Sequence, residues 1–141
     1  MQIDDPQTKA EISAVFRTYE RALLENDLAT LDAMFLHLET TVRYGVAEIQ
    51  YGIDEIRRFR ACQKPFDRAL SRTVITAYGR DMAVASTLFD RPDFPGQIGR
   101  QMQIWVRMPD GWKVAAAHIS MMDANAVQDE TAVQDEIAVN A

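Results

Sequence analysis

Hydrophobic residues recur at helical spacing in the early part of the chain. The stripe consists of Ile12, Phe16, Tyr19 and Leu23. This spacing is typical of one face of an amphipathic helix. It predicts a helix over residues 7–25, with Asp5-Pro6 as its start signal. Asp27 is suited to cap a second helix over residues 28–35, and the two helices are expected to form a helical hairpin.

From residue 40 onward the pattern changes to one rich in strand-forming residues. Short strands are predicted at residues 40–44 and 47–51, and a third helix over residues 53–63 that Pro65 ends. Longer strands are predicted at residues 71–78, 82–89, 97–108 and 112–121. The last two flank residues 109–111, a Pro-Asp-Gly sequence that is a strong hairpin signal.

Helices followed by a long antiparallel meander indicate an α+β fold. We expect three N-terminal helices packed on one face of a curved, mainly antiparallel sheet, which makes a cone with an internal pocket. Residues 1–124 are predicted to form this single domain. In the remainder, residues 125–141, the sequence Ala-Val-Gln-Asp-Glu occurs twice, at 126–130 and 132–136. We expect a mobile acidic extension there, without a chemical role.

Composition narrows the classes of function. A net charge of −6 argues against a nucleic-acid partner. The chain contains no apolar run of membrane-spanning length and begins with an acidic segment, so we expect a cytoplasmic protein that does not contact a membrane. One cysteine excludes an internal disulfide, and two histidines with one cysteine give no metal-site spacing, so we expect no metal and no other cofactor. Twelve of the 15 basic residues are arginines, which suit carboxylates.

Arg43 is the first candidate functional residue, because it lies inside a predicted strand. A guanidinium group is rarely fully buried unless it is paired. Its partner is either an internal carboxylate, Glu48 or Glu39, or the carboxylate of a ligand, and the residues alone leave both open. Glu48 is also a candidate for shaping the charge of the pocket. Tyr44 alternates with Arg43 and is expected on the opposite face, in the core or at a dimer contact.

Three further polar residues fall on predicted apolar or strand positions. Tyr19 either packs in the core with its hydroxyl bonded to one partner, or offers that hydroxyl to a ligand. His118 and Ser120 share one face of the last strand. His118 is a hydrogen-bonded core residue, a polar group of the pocket wall or a general base near neutral pH. Arg60, near the end of the third helix, either reaches the mouth of the pocket or is solvated, and we expect it to be solvated. The chain has no Gly-rich phosphate loop, nucleophile elbow or paired-carboxylate signature.

Eight segments together carry a family resemblance. They are FRTYERAL (16–23), VRYGVAE (42–48), YG (51–52), IRRFRA (56–61), RTVIT (72–76), GRQ (99–101), WVR (105–107) and GWKVAAAHIS (111–120). In one register, from about residue 10 to residue 123, they resemble the AtzH-like family. The final segment also resembles the wider SnoaL-like and nuclear-transport-factor-like superfamily. The resemblance implies a cystatin-like, cone-shaped α+β protein that associates through its sheet as a homodimer.

The resemblance also implies an activity. It is the hydrolysis of 1,3-dicarboxyurea to allophanate in cyanuric acid breakdown, with relatives tied to oxalurate and purine-derived ureides and a functional link to an amidase. The tyrosine and arginine that the family assigns to catalysis fall on Tyr19 and Arg43. The chain departs from the family at four positions: Ile49, Gln50, Met102 and Ile104. If these side chains line the cone, its pocket is more apolar or differently shaped.

We therefore hypothesise that Arg43 binds a carboxylate of a small anionic substrate and that Tyr19 polarises the reacting group. His118, Glu48 and Ser120 are the candidates for further substrate contacts. Two other functions stay open. One is an accessory protein that binds an anionic intermediate, or the amidase itself. The other is a SnoaL-like isomerase or cyclase acting on an apolar ring, which the apolar Met102 and Ile104 favour and Arg43 disfavours.

Overall fold

A computed structural model of the protein describes residues 1–126. Its elements in chain order are α1 (Pro6–Glu25), α2 (Leu28–Met34), β1 (Val42–Tyr44), β2 (Ile49–Tyr51), α3 (Ile53–Cys62), β3 (Ala69–Tyr78), β4 (Met82–Asp90), β5 (Gln97–Met108) and β6 (Gly111–Asp123). Each lies where the sequence predicts an element of that type. The predicted acidic tail falls, from residue 127 on, outside the described residues. No helix within residues 1–126 is long and apolar enough to cross a membrane.

An aspartate caps each helix of the N-terminal hairpin. Asp5 accepts a hydrogen bond from the backbone N–H of Thr8 at 3.1 Å, and Asp27 accepts one from that of Thr30 at 3.2 Å. Asn26, at φ 54°, ends α1 in the left-handed conformation that commonly closes a helix. The C-cap of α1 therefore directly precedes the N-cap of α2, which turns the chain sharply at the predicted break.

The strands form one six-stranded sheet in the order β2-β1-β6-β5-β4-β3. All neighbours are antiparallel except β1 and β6, which are parallel. The short β1 therefore docks beside the last strand and not only against its hairpin partner β2. This pairing sets Arg43 opposite Ala117 on one side and Gln50 on the other. All three side chains are buried on the face of the sheet that the helices cover.

The core fills the space between the helices and the inner face of the sheet. Its large apolar side chains are Ile12, Phe16, Tyr19, Leu23, Leu31, Phe35, Ile56, Trp105, Trp112 and Val114. The helical stripe predicted from the sequence supplies the first part of this set. Tyr19 packs edge to face against Trp105, with ring centroids 5.9 Å apart. The predicted α+β cone, with helices on one face of a mainly antiparallel sheet, is confirmed.

A bulge in β6 reverses which residues face the helices. Trp112 is buried beneath the helices, and the register with β5 then skips Ala115. Because side chains alternate with a period of two, one extra residue moves every later side chain to the other face. Ala117 is therefore buried on the inner face, whereas His118 and Ser120 lie on the outer face of the sheet.

A buried ion pair joins α1 to the segment that enters β3. The guanidinium of Arg68 donates to both carboxylate oxygens of Glu20, through Nε at 2.9 Å and Nη2 at 2.6 Å. The two side chains are only 3% and 15% exposed. Arg68 also donates to Gln101 Oε1 at 3.0 Å and lies 4.9 Å from the centre of the Phe89 ring. This pair fixes the position of α1 over the sheet.

Replacing Glu20 with glutamine is expected to lower the free energy of unfolding by about 3–5 kcal/mol, because Arg68 is then left buried without a counter-charge. Glu25→Gln is the matched control on the same helix, since its ion pair with Arg21 is exposed to water and is worth roughly 0–1 kcal/mol. Urea denaturation followed by circular dichroism measures both changes. Equal losses in the two variants would contradict a structural role for the buried pair.

Candidate active site

The helices and the inner face of the sheet enclose a cavity of about 200 Å³. Pockets that hold drug-sized ligands span roughly 300–1,000 Å³, so this cavity suits a smaller molecule. Its wall combines phenylalanine rings and aliphatic side chains with a set of polar groups. The polar groups are Tyr19, Arg43, Glu48, Arg60, Gln63, Arg68, Arg91 and Gln101. The structure therefore brings Tyr19, Arg43 and Glu48 together, as the sequence hypothesis requires.

Arg43 enters the cavity from β1. Its side chain is buried, at 8% exposure for the residue, and its Nη1 donates to Gln50 Oε1 at 2.9 Å. The guanidinium carbon lies 4.5 Å from the centre of the Phe59 ring, an arrangement that stabilises a cation. Arg43 forms no salt bridge with any residue in the described part of the chain, so the internal pairing with Glu48 or Glu39 is not present. Its hydrogen-bond partner is a neutral amide.

The electrostatic environment of Arg43 is unfavourable for its own charge. The pKa of its guanidinium lies below the usual value, chiefly because burial penalises the charged form, and the nearby Arg60 guanidinium lowers this pKa further. The neighbouring Tyr19 and Glu48 side chains act in the opposite direction on this pKa. An anion bound beside Arg43 would relieve the same penalty, since an opposite charge favours the protonated guanidinium.

Gly45 allows Arg43 and Glu48 to approach each other. A Cβ at position 45 would clash with Glu48 Oε2 and would lie 2.8 Å from Arg43 Nη1. Glu48 Oε2 accepts a hydrogen bond from the backbone N–H of Ala47 at 2.9 Å. The hairpin turn between β1 and β2 therefore holds a carboxylate beside the arginine without closing a salt bridge.

Tyr19 reaches the cavity from the apolar stripe of α1. Its ring is held by Trp105 and by Phe35, whose centroid is 6.3 Å away. The residue is buried and at the same time lines the cavity. A ring fixed by two aromatic neighbours keeps its hydroxyl in one place, which is what a hydrogen-bond donor to a ligand needs.

Arg60 corrects the sequence analysis, which expected a solvated arginine. It is 2% exposed, lines the cavity, and lies with its guanidinium carbon 5.5 Å from the centre of the Phe35 ring. Its Nε and Nη2 are buried and have no hydrogen-bond partner among the described residues. The signal that reveals it is its position four residues after buried Ile56, on the inner face of α3.

Gln101 adds a further donor to the wall. Because Arg68 donates to its Oε1, the amide is held in one orientation. Its Nε2 is left buried without a partner among residues 1–126. Together with Arg43 and Arg60, this gives the cavity an excess of hydrogen-bond donors, which favours an anionic ligand. No group of three His, Cys, Asp or Glu side chains suited to a metal occurs in the described part of the chain.

His118 and Ser120 do not reach this cavity, so the expectation that they belong to its wall is wrong. The bulge in β6 places both side chains on the outer face of the sheet. On the outer face, His118 packs against the ring of Tyr44 with centroids 5.7 Å apart. Ser120 Oγ accepts a hydrogen bond from Arg100 Nε at 3.1 Å. Both residues line a separate, open trough of about 490 Å³ on the outside of the sheet.

The four departures from the family pattern divide between the two faces of the sheet. Ile49 and Met102 are exposed on the outer face, and Ile104, two residues further along β5, shares that face. Because these three side chains lie outside the cavity, they do not make its wall more apolar. Gln50 faces inward and supplies the oxygen to which Arg43 donates. Of the four, only Gln50 affects the candidate site.

Comparison with known proteins supports the family resemblance. A family model described as AtzH-like matches residues 1–125. A protein of unknown function from Pectobacterium atrosepticum is 53% identical, over 86% of this chain and 95% of that chain, with a TM-score of 0.83. A cystatin-like fold protein from Burkholderia xenovorans is 46% identical, over 87% of this chain and 98% of that chain, with a TM-score of 0.84. No curated protein matches the chain.

A more distant likeness shows the fold alone. A nuclear transport factor 2-like superfamily protein from Salmonella enterica is 24% identical, over 81% of this chain and 90% of that chain, with a TM-score of 0.63. The predicted cystatin-like, nuclear-transport-factor-like fold is thus confirmed.

Gly45→Ala is expected to change ligand binding more than stability. The atoms in the way of the new Cβ are the ends of the Glu48 and Arg43 side chains, so the backbone can stay in place while Arg43 shifts. Loss of one charge-assisted hydrogen bond would weaken acetate binding roughly tenfold, measured by nuclear magnetic resonance titration. Urea unfolding should change by less than about 1 kcal/mol. Unchanged acetate affinity would contradict a role for this turn in placing Arg43.

Proposed function

The chain belongs to the AtzH-like family, and from that premise we propose that it is a C–N hydrolase of a small carboxylated urea or a related ureide. The observation that carries the proposal is a small cavity in which a fixed tyrosine lies near a buried guanidinium that has no carboxylate partner among the described residues. A substrate carboxylate supplies that missing partner. 1,3-Dicarboxyurea, which gives allophanate, is the substrate we would test first.

Arg43 is proposed to anchor the substrate. It binds a carboxylate through paired N–H groups, while Gln50 keeps the guanidinium in place. The interaction is strengthened by the low dielectric of a buried cavity. The Phe59 ring excludes water from one side of the guanidinium. The substrate is thereby held in one orientation relative to the groups on α1.

Tyr19 is proposed to act on the reacting group. Its hydroxyl donates a hydrogen bond to the reacting carbonyl oxygen or to the leaving nitrogen, which polarises the bond toward attack by water. Glu48 lines the same cavity and accepts a hydrogen bond from the attacking water. Water adds to the carboxyl carbon, the C–N bond breaks, the carbon leaves as bicarbonate, and the nitrogen takes up a proton. The protein forms no covalent bond to the substrate in this scheme.

Tyr19→Phe is expected to lower kcat for allophanate formation by roughly 10²–10³-fold, the usual loss when one donor to a developing oxyanion is removed. The fold should be retained, since only the hydroxyl is lost from a packed ring. Tyr44→Phe is the matched control, because that hydroxyl lies on the outer face and bonds to Tyr51. Mass spectrometry of the product measures both. Full activity in Tyr19→Phe would overturn its catalytic role.

The binding-protein alternative gives a different result in the same assay. It predicts saturable binding of the carboxylated ligand, abolished by Arg43→Met, with no product formed by the purified protein. Co-purification with an amidase would add support for that alternative. The isomerase or cyclase alternative is disfavoured by the donors in the cavity wall, because an apolar ring leaves the buried donors of Arg60 and Gln101 without partners.

We also propose that two copies associate through the outer face of the sheet. Large apolar side chains are exposed there: Tyr44, Ile49, Tyr51, Val74 and Met102. Contiguous exposed apolar surface commonly marks a protein contact. The resemblance to sheet-associated relatives points to the same face. Burial of this face leaves the cavity on the helix side accessible, so assembly and ligand binding do not compete.

Met102→Glu is expected to convert the dimer to a monomer, since it places a charge in the proposed interface. Met102 lies on the outer face of the sheet and is 54% exposed in the single chain. Ala14→Glu, on the exposed side of α1, is the control and should leave the dimer intact. Size-exclusion chromatography with light scattering compares each mass with that of the 16.0 kDa chain. A wild-type protein that is monomeric, or a dimer unaffected by Met102→Glu, would contradict the proposed interface.

A further inference from the structure

Arg60 carries a positive charge into the cavity without a counter-charge. On the same helix, Arg57 and Arg58 are exposed to solvent, so the burial of Arg60 is particular to its position. Its Nε and Nη2 have no hydrogen-bond partner among the described residues. A buried donor that lacks a partner destabilises a protein, and a buried charge does so more strongly. The ligand-free fold therefore retains an unfavourable group at this position.

Arg68 shows how the same fold treats an arginine that has a structural role. Its Nε and Nη2, the side edge of the guanidinium, bind the two oxygens of Glu20. Arg91 binds Asp93 through the same pair of atoms, at 3.0 and 2.6 Å. In Arg60 this carboxylate-binding edge is the part that is buried and unpaired. By analogy with Arg68 and Arg91, the group suited to bind this edge of Arg60 is a carboxylate.

Arg60 also lies close enough to Arg43 to disfavour its charge. Two like charges that line one cavity of about 200 Å³ repel each other until anionic groups neutralise them. One carboxylate on Arg43 leaves Arg60 unpaired. A ligand with two carboxylates neutralises both guanidinium groups.

We propose that Arg60 is a second anion-binding residue of the cavity, which receives the second carboxylate of the ligand and so selects small dicarboxylates over monocarboxylates. The assignment rests on the proposed function for the role of Arg43 as the first anchor. It deepens that function by naming the residue that senses the second charge. Arg60 acts here as a specificity-determining residue, while Tyr19 acts on the reacting bond.

The test uses two inert probes, malonate and acetate, titrated into the full-length protein by calorimetry at constant ionic strength. Wild-type protein is expected to bind malonate roughly 10–100-fold more tightly than acetate, the range that a charged hydrogen-bonded pair supports. Arg60→Met should remove this preference, so that malonate and acetate bind with similar affinity. Arg60→Lys, which keeps the charge but not the paired N–H edge, should retain part of it. Arg58→Met is the matched control on the exposed face of α3.

Thermal unfolding of the ligand-free variants gives an independent readout. Removal of an unpaired buried charge should leave Arg60→Met at least as stable as the wild type. The opposing possibility is that Arg60 is structural and is satisfied by Gln63, whose Oε1 is also buried without a partner among residues 1–126. In that case Arg60→Met unfolds at a lower temperature and keeps the malonate preference, which would overturn the proposal.

The hydrolase function and the role of Arg60 can be rejected independently of each other. If malonate binding depends on Arg60 but no ureide is turned over, Arg60 is retained as the second anchor and the hydrolase function is rejected. If ureides are turned over and Arg60→Met changes neither the malonate preference nor KM for a dicarboxylated substrate, the hydrolase function is retained and the Arg60 assignment is rejected.

Discussion

Three buried guanidinium groups define the interior of this protein, and only one of them is neutralised by the fold. Arg43, Arg60 and Arg68 each lie over a phenylalanine ring, at 4.5, 5.5 and 4.9 Å from its centre. Arg68 is paired with Glu20, whereas the other two have no salt bridge within the described residues. Aromatic faces offset part of the loss of hydration, and a neutral amide offsets a little more at Arg43. An anionic ligand would neutralise the positive charge that remains on Arg43 and Arg60.

The order of elements was predictable because each element buries one face. The stripe on α1 follows a helical period, and the strands follow turn signals such as the Pro-Asp-Gly sequence at residues 109–111. The parallel pairing of β1 with β6 was not predictable in the same way. Its partners, Arg43 and Ala117, are 74 positions apart, and no local pattern selects one distant strand over another. Yet this pairing is what turns Arg43 toward the helices.

The site was predictable where a side chain follows the period of its own element. Tyr19 falls on the helical stripe, and Arg43 was notable as a charge inside a strand. His118 was placed wrongly because alternation counted from Trp112 gives it the inner face, and the extra residue Ala115 inverts that count. Arg60 is difficult to predict for another reason. The general preference of arginine for solvent favours an exposed side chain, whereas its position on the buried face of α3 places it in the cavity wall.

The two unpaired guanidinium groups belong to different parts of the fold, so a ligand that binds both also holds these two parts together. Arg43 is carried by β1, a strand of three residues, and Arg60 by the last turn of α3. In the ligand-free protein their like charges act to separate these two elements. An anion between them replaces that repulsion with two attractions and holds the elements together. Because folding and binding draw on the same unpaired charges, a variant that neutralises them gains stability in the free protein and loses the ligand.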